Sequence, residues 1–134
     1  MCISMSAECS VKKFREKVGE HFNKRVGRKV KLRAPKGIPA DVWRQAHSEG
    51  EIVEEVSIEY RSKLDPIETW EPAIQAIEFK DGHFGLRFIH YKRGRPVPLA
   101  MINYDWLMDE FKPLVEKTRI IKGLLELLVG QGRG

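Results

Sequence analysis

The feature that most restricts this chain is a run of alternation and turn chemistry between residues 73 and 103. Ala73 to Lys80 reads as a strand. Asp81-Gly82 follows as a hairpin signal, because both positions accept the positive φ of a type I′ turn. His83 to Tyr91 returns as a second strand, Lys92 to Arg95 makes another turn, and Val97 to Asn103 gives a third strand. The pattern is an antiparallel meander. Its middle strand places Phe84, Leu86, Phe88 and His90 on one face and Arg87, Ile89 and Tyr91 on the other. Both faces carry aromatics, so one packs on helices and the other is left as a binding surface.

The flanking segments predict helices and shorter strands. Val11, Phe14, Val18, Phe22 and Val26 recur at spacings of three and four, which predicts an amphipathic helix over residues 8–26, capped by Ser6 or Ser10 and stopped at Gly27. Arg28 to Arg33 alternates as a short strand with one cationic face, and Pro35, Gly37 and Pro39 then force a loop. Ala40 to Ser48 is a short helix. Glu51 to Arg61 is a strand with Val56, Ile58 and Tyr60 inward and Glu55, Ser57 and Glu59 on a solvated face; Ser62 to Pro72 reads as a loop. Tyr104 to Phe111 starts a helix, Pro113 kinks it or opens a second one, and the last helix runs to about Val129.

That C-terminal stretch carries a heptad seam of Leu107, Phe111, Leu114, Thr118, Ile121, Leu125 and Leu128, with a second stripe of Ile120, Leu124 and Leu127. A helix with two apolar stripes touches two things, its own domain and a partner subunit. The expected fold is therefore α+β: an antiparallel sheet of about four to five strands packed by N-terminal helices, with a C-terminal oligomerisation helix. Residues 1–112 form the basic domain, and 113–134 form the apolar helix and a Gly-rich tail. Leu114, Ile121, Leu124, Leu125 and Leu128 are the expected contacts in a homodimer or homotetramer.

Charge narrows the function. The net charge is +5, but the stretch from His21 to Ala40 contains seven Lys and Arg and no acid, whereas residues 51–72 are acidic. Clustered cations repel one another, and a polyanion relieves that repulsion. No apolar run reaches the roughly 20 residues needed to span a bilayer, and Met1 to Ser10 has no signal-peptide core. A cytoplasmic protein is expected. Cys2 and Cys9 read as ordinary reduced thiols, and scarce Asn and Gln beside abundant Lys and Glu lean towards a thermophilic source. Catalysis has little material. His21, His47, His83 and His90 occur singly, and no phosphate loop, HxH or HExxH is present. No catalytic residue, metal or cofactor is assigned.

Single-strand binders need cations tracking the backbone and aromatics on which bases stack. The candidates are Lys29, Lys31, Arg33, Lys36, Trp43, Phe79, Lys80, Arg87, Phe88, Tyr91, Lys92, Arg93 and Arg95. They point to a sequence-tolerant binder of single-stranded DNA or RNA through a basic, aromatic-lined groove. The alternatives are a regulator of double-stranded DNA, an RNA-binding protein and a non-catalytic scaffold.

Two resemblances bear on this. Ile77-Glu78-Phe79-Lys80-Asp81-Gly82, the strand Phe84 to Tyr91, the basic turn and Leu99 to Trp106 before a helix are similar to the positive cofactor four transcriptional coactivators. That resemblance covers residues 75–128. It implies a dimeric single-strand binder and gives DNA contacts to Phe79 and Lys80, with His83 standing where that family has a further turn lysine. In the order of its parts, a basic N-terminal half, an aromatic meander and a zipper-like end, the whole chain resembles the archaeal ThermoDBP single-stranded DNA-binding proteins. There the resemblance implies a cleft with cationic flanks and an assembling C-terminal helix.

Overall fold

The computed structural model describes residues 15–32, 36–39, 41–42, 49–65, 69–98 and 106–130. Six strands form one antiparallel sheet: β1 (Arg15–Phe22), β2 (Lys29–Lys31), β3 (Glu49–Ser62), β4 (Thr69–Phe79), β5 (Phe84–Lys92) and β6 (Arg95–Pro98). The order is β1-β3-β4-β5-β6. β2 lies beside the other end of β3, so β1 and β2 share one edge of that long strand. A π-helical turn (Trp106–Phe111), α1 (Lys112–Val115) and α2 (Ile120–Gly130) follow.

The expected α+β arrangement is overturned. Among the described residues no N-terminal helix packs the sheet, and the helices are the short C-terminal ones. Where a helix over 8–26 was expected, Arg15–Phe22 is an edge strand. Its apolar residues do not form a core stripe: Val18, Phe22 and Val26 are all more than two-fifths exposed. Helical spacing is a weak signal when the residues that show it find no core, and β3 supplies partners for the strand's backbone instead. Gly19, which costs a helix interior about 1 kcal/mol, sits at the strand's register shift.

The first two strands of the meander form as the sequence predicts, with different turns; the third begins earlier, at Arg95, and the expected stretch from Leu99 to Asn103 lies outside the described residues. In the β4–β5 turn only Gly82 has positive φ, and Gly82 N–H donates to the Phe79 carbonyl at 2.9 Å. The two-residue turn with both φ positive is Arg93-Gly94, between β5 and β6. The stretch expected as a loop to Pro72 is in strand from Thr69, paired with Arg61.

One face of the sheet is the apolar core. Val56, Ile58 and Tyr60 of β3 and Ile74 and Ala76 of β4 meet Phe111, Leu114 and Ile121, with Trp70, Leu86, Leu124 and Leu125 packed around them. Pro113 falls in the first turn of α1, where its missing N–H costs nothing. The C-terminal stretch is not one continuous helix. It breaks after Val115, which lets Phe111, Leu114 and Ile121 reach the same cluster. Glu54 of β3 caps α2, accepting from the backbone N–H of Arg119 at 3.0 Å and of Ile121 at 2.7 Å. Two of the five expected oligomer contacts, Leu114 and Ile121, thus lie wholly inside their own fold. Leu127, Leu128 and Val129 are left exposed. Among the described residues no helix is long and apolar enough to cross a membrane.

Candidate nucleic-acid interface

The second face of the sheet is largely buried and sets a polar cluster beside the apolar Ala73, Ile77 and Ile89. Strand alternation sends Glu55 and Ser57 of β3, Glu71 and Gln75 of β4, and Arg87 and Tyr91 of β5 to this side. Among the described residues no helix covers them. The cover is the turn from Asn23 to Arg28, which joins β1 to β2. Asn23 and Gly27 adopt positive φ there. The turn is bonded to β3 throughout: Asn23 N–H donates to the Glu55 carbonyl at 2.8 Å, Glu55 N–H donates to Asn23 Oδ1 at 3.0 Å, and Gly27 N–H donates to the Ile52 carbonyl at 2.8 Å.

This anchoring drops Arg25 onto the sheet. Its Nη1 donates to Glu55 Oε2 at 2.9 Å, and its Nη2 donates to Glu71 Oε1 at 2.8 Å. The guanidinium lies over the Tyr91 ring, 3.6 Å from its centroid. Ser57 Oγ donates to Glu71 Oε2 at 2.5 Å, and Lys24 Nζ donates to Glu71 Oε1 at 3.0 Å. Burial pushes the Glu71 carboxyl up, but the hydrogen bonds from Arg25, Ser57 and Lys24 outweigh it and hold the group at about 2. Gln75 extends the network. Its Nε2 donates to Glu55 Oε2 at 2.6 Å and to the Tyr91 hydroxyl at 2.8 Å, and its Oε1 accepts from Arg87 Nε at 2.8 Å. Glu55 can only accept, so the amide orientation is fixed, and with it the direction of Arg87.

Two hollows open over this floor. One, of about 310 Å³, is lined by Lys24, Arg25, Arg28 and Arg93, with Glu59, Glu71, Thr69, Trp70, Tyr91 and Gly94. The other, of about 260 Å³, is lined by Arg28, Lys29, Lys31 and Arg87, with Val30, Ile52, Tyr91, Gly94 and Pro96. Arg28, Tyr91 and Gly94 line both, so the two hollows adjoin; the pair is termed the trough. His21 borders it through Glu59, 3.1 Å from the imidazole Nε2. Among the described residues no group of three or more His, Cys, Asp or Glu is placed to hold a metal ion.

The predicted site residues divide between this trough and other places. Lys29, Lys31, Arg87, Tyr91 and Arg93 line it. Lys92 and Arg95 flank the Arg93-Gly94 turn and are exposed. Lys36 is exposed on a separate turn. Phe79 and Lys80 border a third hollow of about 290 Å³, where Lys29 and Lys80 face Glu49, Glu51 and Glu78. Lys80 pairs there with Glu49 at 3.5 Å. Phe88 is 40% exposed but lies on the core face, away from the cations. Tyr91 is 6% exposed beneath Arg25, so it offers its edge and hydroxyl and no open ring face. Arg33 and Trp43 lie outside the described residues, as do Cys2 and Cys9.

Sequence reasoning missed Lys24, Arg25 and Arg28 as site residues although they stand in the acid-free stretch. The signal that could have found Arg25 is the polar inward face of two neighbouring strands. Glu55, Ser57, Glu71 and Gln75 need a buried cation if that face is covered. No protein-family model, no curated protein and no solved structure matches the chain.

Proposed function

We propose that the protein is a sequence-tolerant binder of single-stranded nucleic acid, whose phosphates run along the polar trough. The observation that carries this reading is the adjoining pair of hollows, with Lys24, Arg28, Lys29, Lys31, Arg87 and Arg93 around them above the buried Arg25. Cations spaced along a groove suit a chain of phosphates better than a single small anion. Bases have the less cationic margin, where Phe79 borders the neighbouring hollow; the Trp70 ring is turned to the core face, stacked on Tyr60. The same reading has a second copy of the chain covering the exposed Leu127, Leu128 and Val129, within a cytoplasmic protein that carries out no catalysis.

One feature favours a duplex instead. The β5–β6 hairpin presents Lys92, Arg93 and Arg95 on a two-stranded ribbon, a shape the major groove admits. Fluorescence anisotropy with mixed-sequence single-stranded DNA, single-stranded RNA and duplex DNA at several salt concentrations separates the readings. Single strands are expected to bind tightest, with affinity falling as salt rises. Replacing Arg28 and Lys31 by Ala is expected to flatten the logarithmic salt slope by about 1.4, at about 0.7 per lost contact. Tightest binding to duplex, or an unchanged slope in the double variant, would overturn the proposal.

A further inference from the structure

The two halves of the trough differ in charge. The larger hollow contains the carboxylates of Glu59 and Glu71 among its cations. Among the described residues, the smaller hollow has Arg28, Lys29, Lys31 and Arg87 and no acid in its lining. Lys29 is neutralised from outside the hollow by Glu51, at 2.8 Å. Among the described residues, the side chains of Arg28 and Lys31 have no acidic partner. Arg87 is held by neutral groups, the Gln75 carbonyl oxygen at 2.8 Å and the Tyr91 hydroxyl at 3.5 Å. Three cations therefore converge on one small space without a counter-charge.

Tyr91 adds a donor. Its hydroxyl oxygen accepts from Gln75 Nε2 at 2.8 Å and from Arg87 Nη2 at 3.5 Å, which occupies both lone pairs. Its own proton has no acceptor among the described residues, although the side chain is 94% buried and lines the hollow. A buried hydroxyl with an unused proton, beside three uncompensated cations, is a site built for an anion with several acceptor oxygens. An internal phosphodiester brings one negative charge. A terminal phosphomonoester brings about 1.5 to 2 and a third free oxygen.

We infer that the acid-free hollow lined by Arg28, Lys31, Arg87 and Tyr91 seats the terminal phosphate of a bound strand. The inference rests on the reading of the trough given above. The strand then leaves across Arg28, which both hollows share, towards Arg93. Gln75 is a positioning residue, since it aims Arg87 and holds the Tyr91 oxygen while touching no phosphate itself.

The test compares one mixed-sequence single strand in three forms: with a 5′-phosphate, with a 3′-phosphate, and with hydroxyls at both ends. One phosphorylated form is expected to bind about tenfold tighter than the hydroxyl form, the worth of one charge-assisted hydrogen bond. Tyr91→Phe keeps the ring under Arg25 and is expected to shrink that ratio several-fold. Equal affinity for the three forms overturns the inference and leaves the single-strand reading standing. A gain of the same size from either phosphate marks a general charge effect and also overturns it, as does a ratio that Tyr91→Phe leaves unchanged. Binding of none of the three defeats both the inference and the reading beneath it.

Discussion

Replacing Arg25 by Ala removes one guanidinium and leaves two buried carboxylates facing the gap. Glu55 is fully buried and keeps Gln75 Nε2 and one backbone N–H as partners. Glu71 keeps Ser57 and Lys24. The Tyr91 ring loses the cation above it. Breaking a buried pair in this way costs about 3–5 kcal/mol, because charge stays behind without its counter-charge. The Glu71 carboxyl points the same way, with Arg25 sharing the effect with Ser57 and Lys24. Its depression from 4.5 to about 2 corresponds to about 3 kcal/mol of native-state stabilisation of the ionised form.

A folded-state pKa below the unfolded one gives stability that is present above about 4.5 and lost as pH falls towards about 2. In the Arg25→Ala protein the depression shrinks, so the variant is expected to trail the wild type by several kcal/mol at pH 7 and by much less near pH 2. Urea melts across that range measure both. Adding Glu71→Gln to Arg25→Ala is expected to recover part of the loss, since one orphaned charge is removed. A single variant within about 1 kcal/mol of wild type at pH 7 would refute the reasoning, because no buried pair of this kind breaks so cheaply.

Three further outcomes follow from particular contacts. A Cβ on Gly50 would meet Ile77 Cγ2 at 2.4 Å and the Glu78 carbonyl oxygen at 3.1 Å, so Gly50→Ala is expected to lower stability by about 1–3 kcal/mol, measured by urea denaturation. Arg93 sits at φ 51, where Asn is better tolerated, so Arg93→Asn is expected to hold or raise the melting temperature while weakening oligonucleotide affinity, read by calorimetry and anisotropy on the same sample. Ile121→Asp is expected to unfold the chain, as seen by circular dichroism, because its side chain is wholly inside the core, whereas Leu128→Asp, on a side chain 78% exposed, is expected to keep the fold and shift sedimentation towards a smaller species.

The meander was legible because its signals are local. Alternation and two glycine turns specify β4, β5 and the start of β6 whatever else the chain does. The N-terminal element is not legible because Val18 and Phe22 carry helical spacing without a core to receive it, and the pairing that decides their state comes from distant β3, where Phe22 meets Val56 and Arg15 meets Ser62. The heptad seam was a real apolar stripe, but the break after Val115 turns it back onto the chain's own sheet. The trough is half legible: charge and strand pattern pick out Lys29, Lys31, Arg87, Tyr91 and Arg93, which line it. Of the expected aromatics, Tyr91 is covered by Arg25, Phe88 faces the other way, Phe79 borders a separate hollow and Trp43 lies outside the described residues. Alternation assigns a residue to a face, but it does not say which face the helices will take.

The acids of residues 51–72 explain why the basic stretch can exist at all. Read along the chain, Glu51, Glu55, Glu59 and Glu71 look like one solvated acidic run. In the fold each meets a basic side chain from β1, β2 or the turn between them: Glu51 with Lys29, Glu55 with Arg25, Glu59 with His21, and Glu71 with Lys24 and Arg25. Most of the described positive charge in that part of the fold is thus spent inside the protein, fixing the turn on the sheet. Of β1, β2 and the turn between them, Arg28 and Lys31 remain without an acidic partner among the described residues, joined by Arg87 from across the sheet, and all three line the hollow that shows no carboxylate among the described residues. If these cations only decorated a solvated face, there would be no reason for the uncompensated ones to converge on one concavity while their neighbours are matched individually. On the proposed reading, an external anion would complete the pairing that the chain leaves unfinished, and the lowered repulsion among Arg28, Lys31 and Arg87 would be a physical source of binding energy.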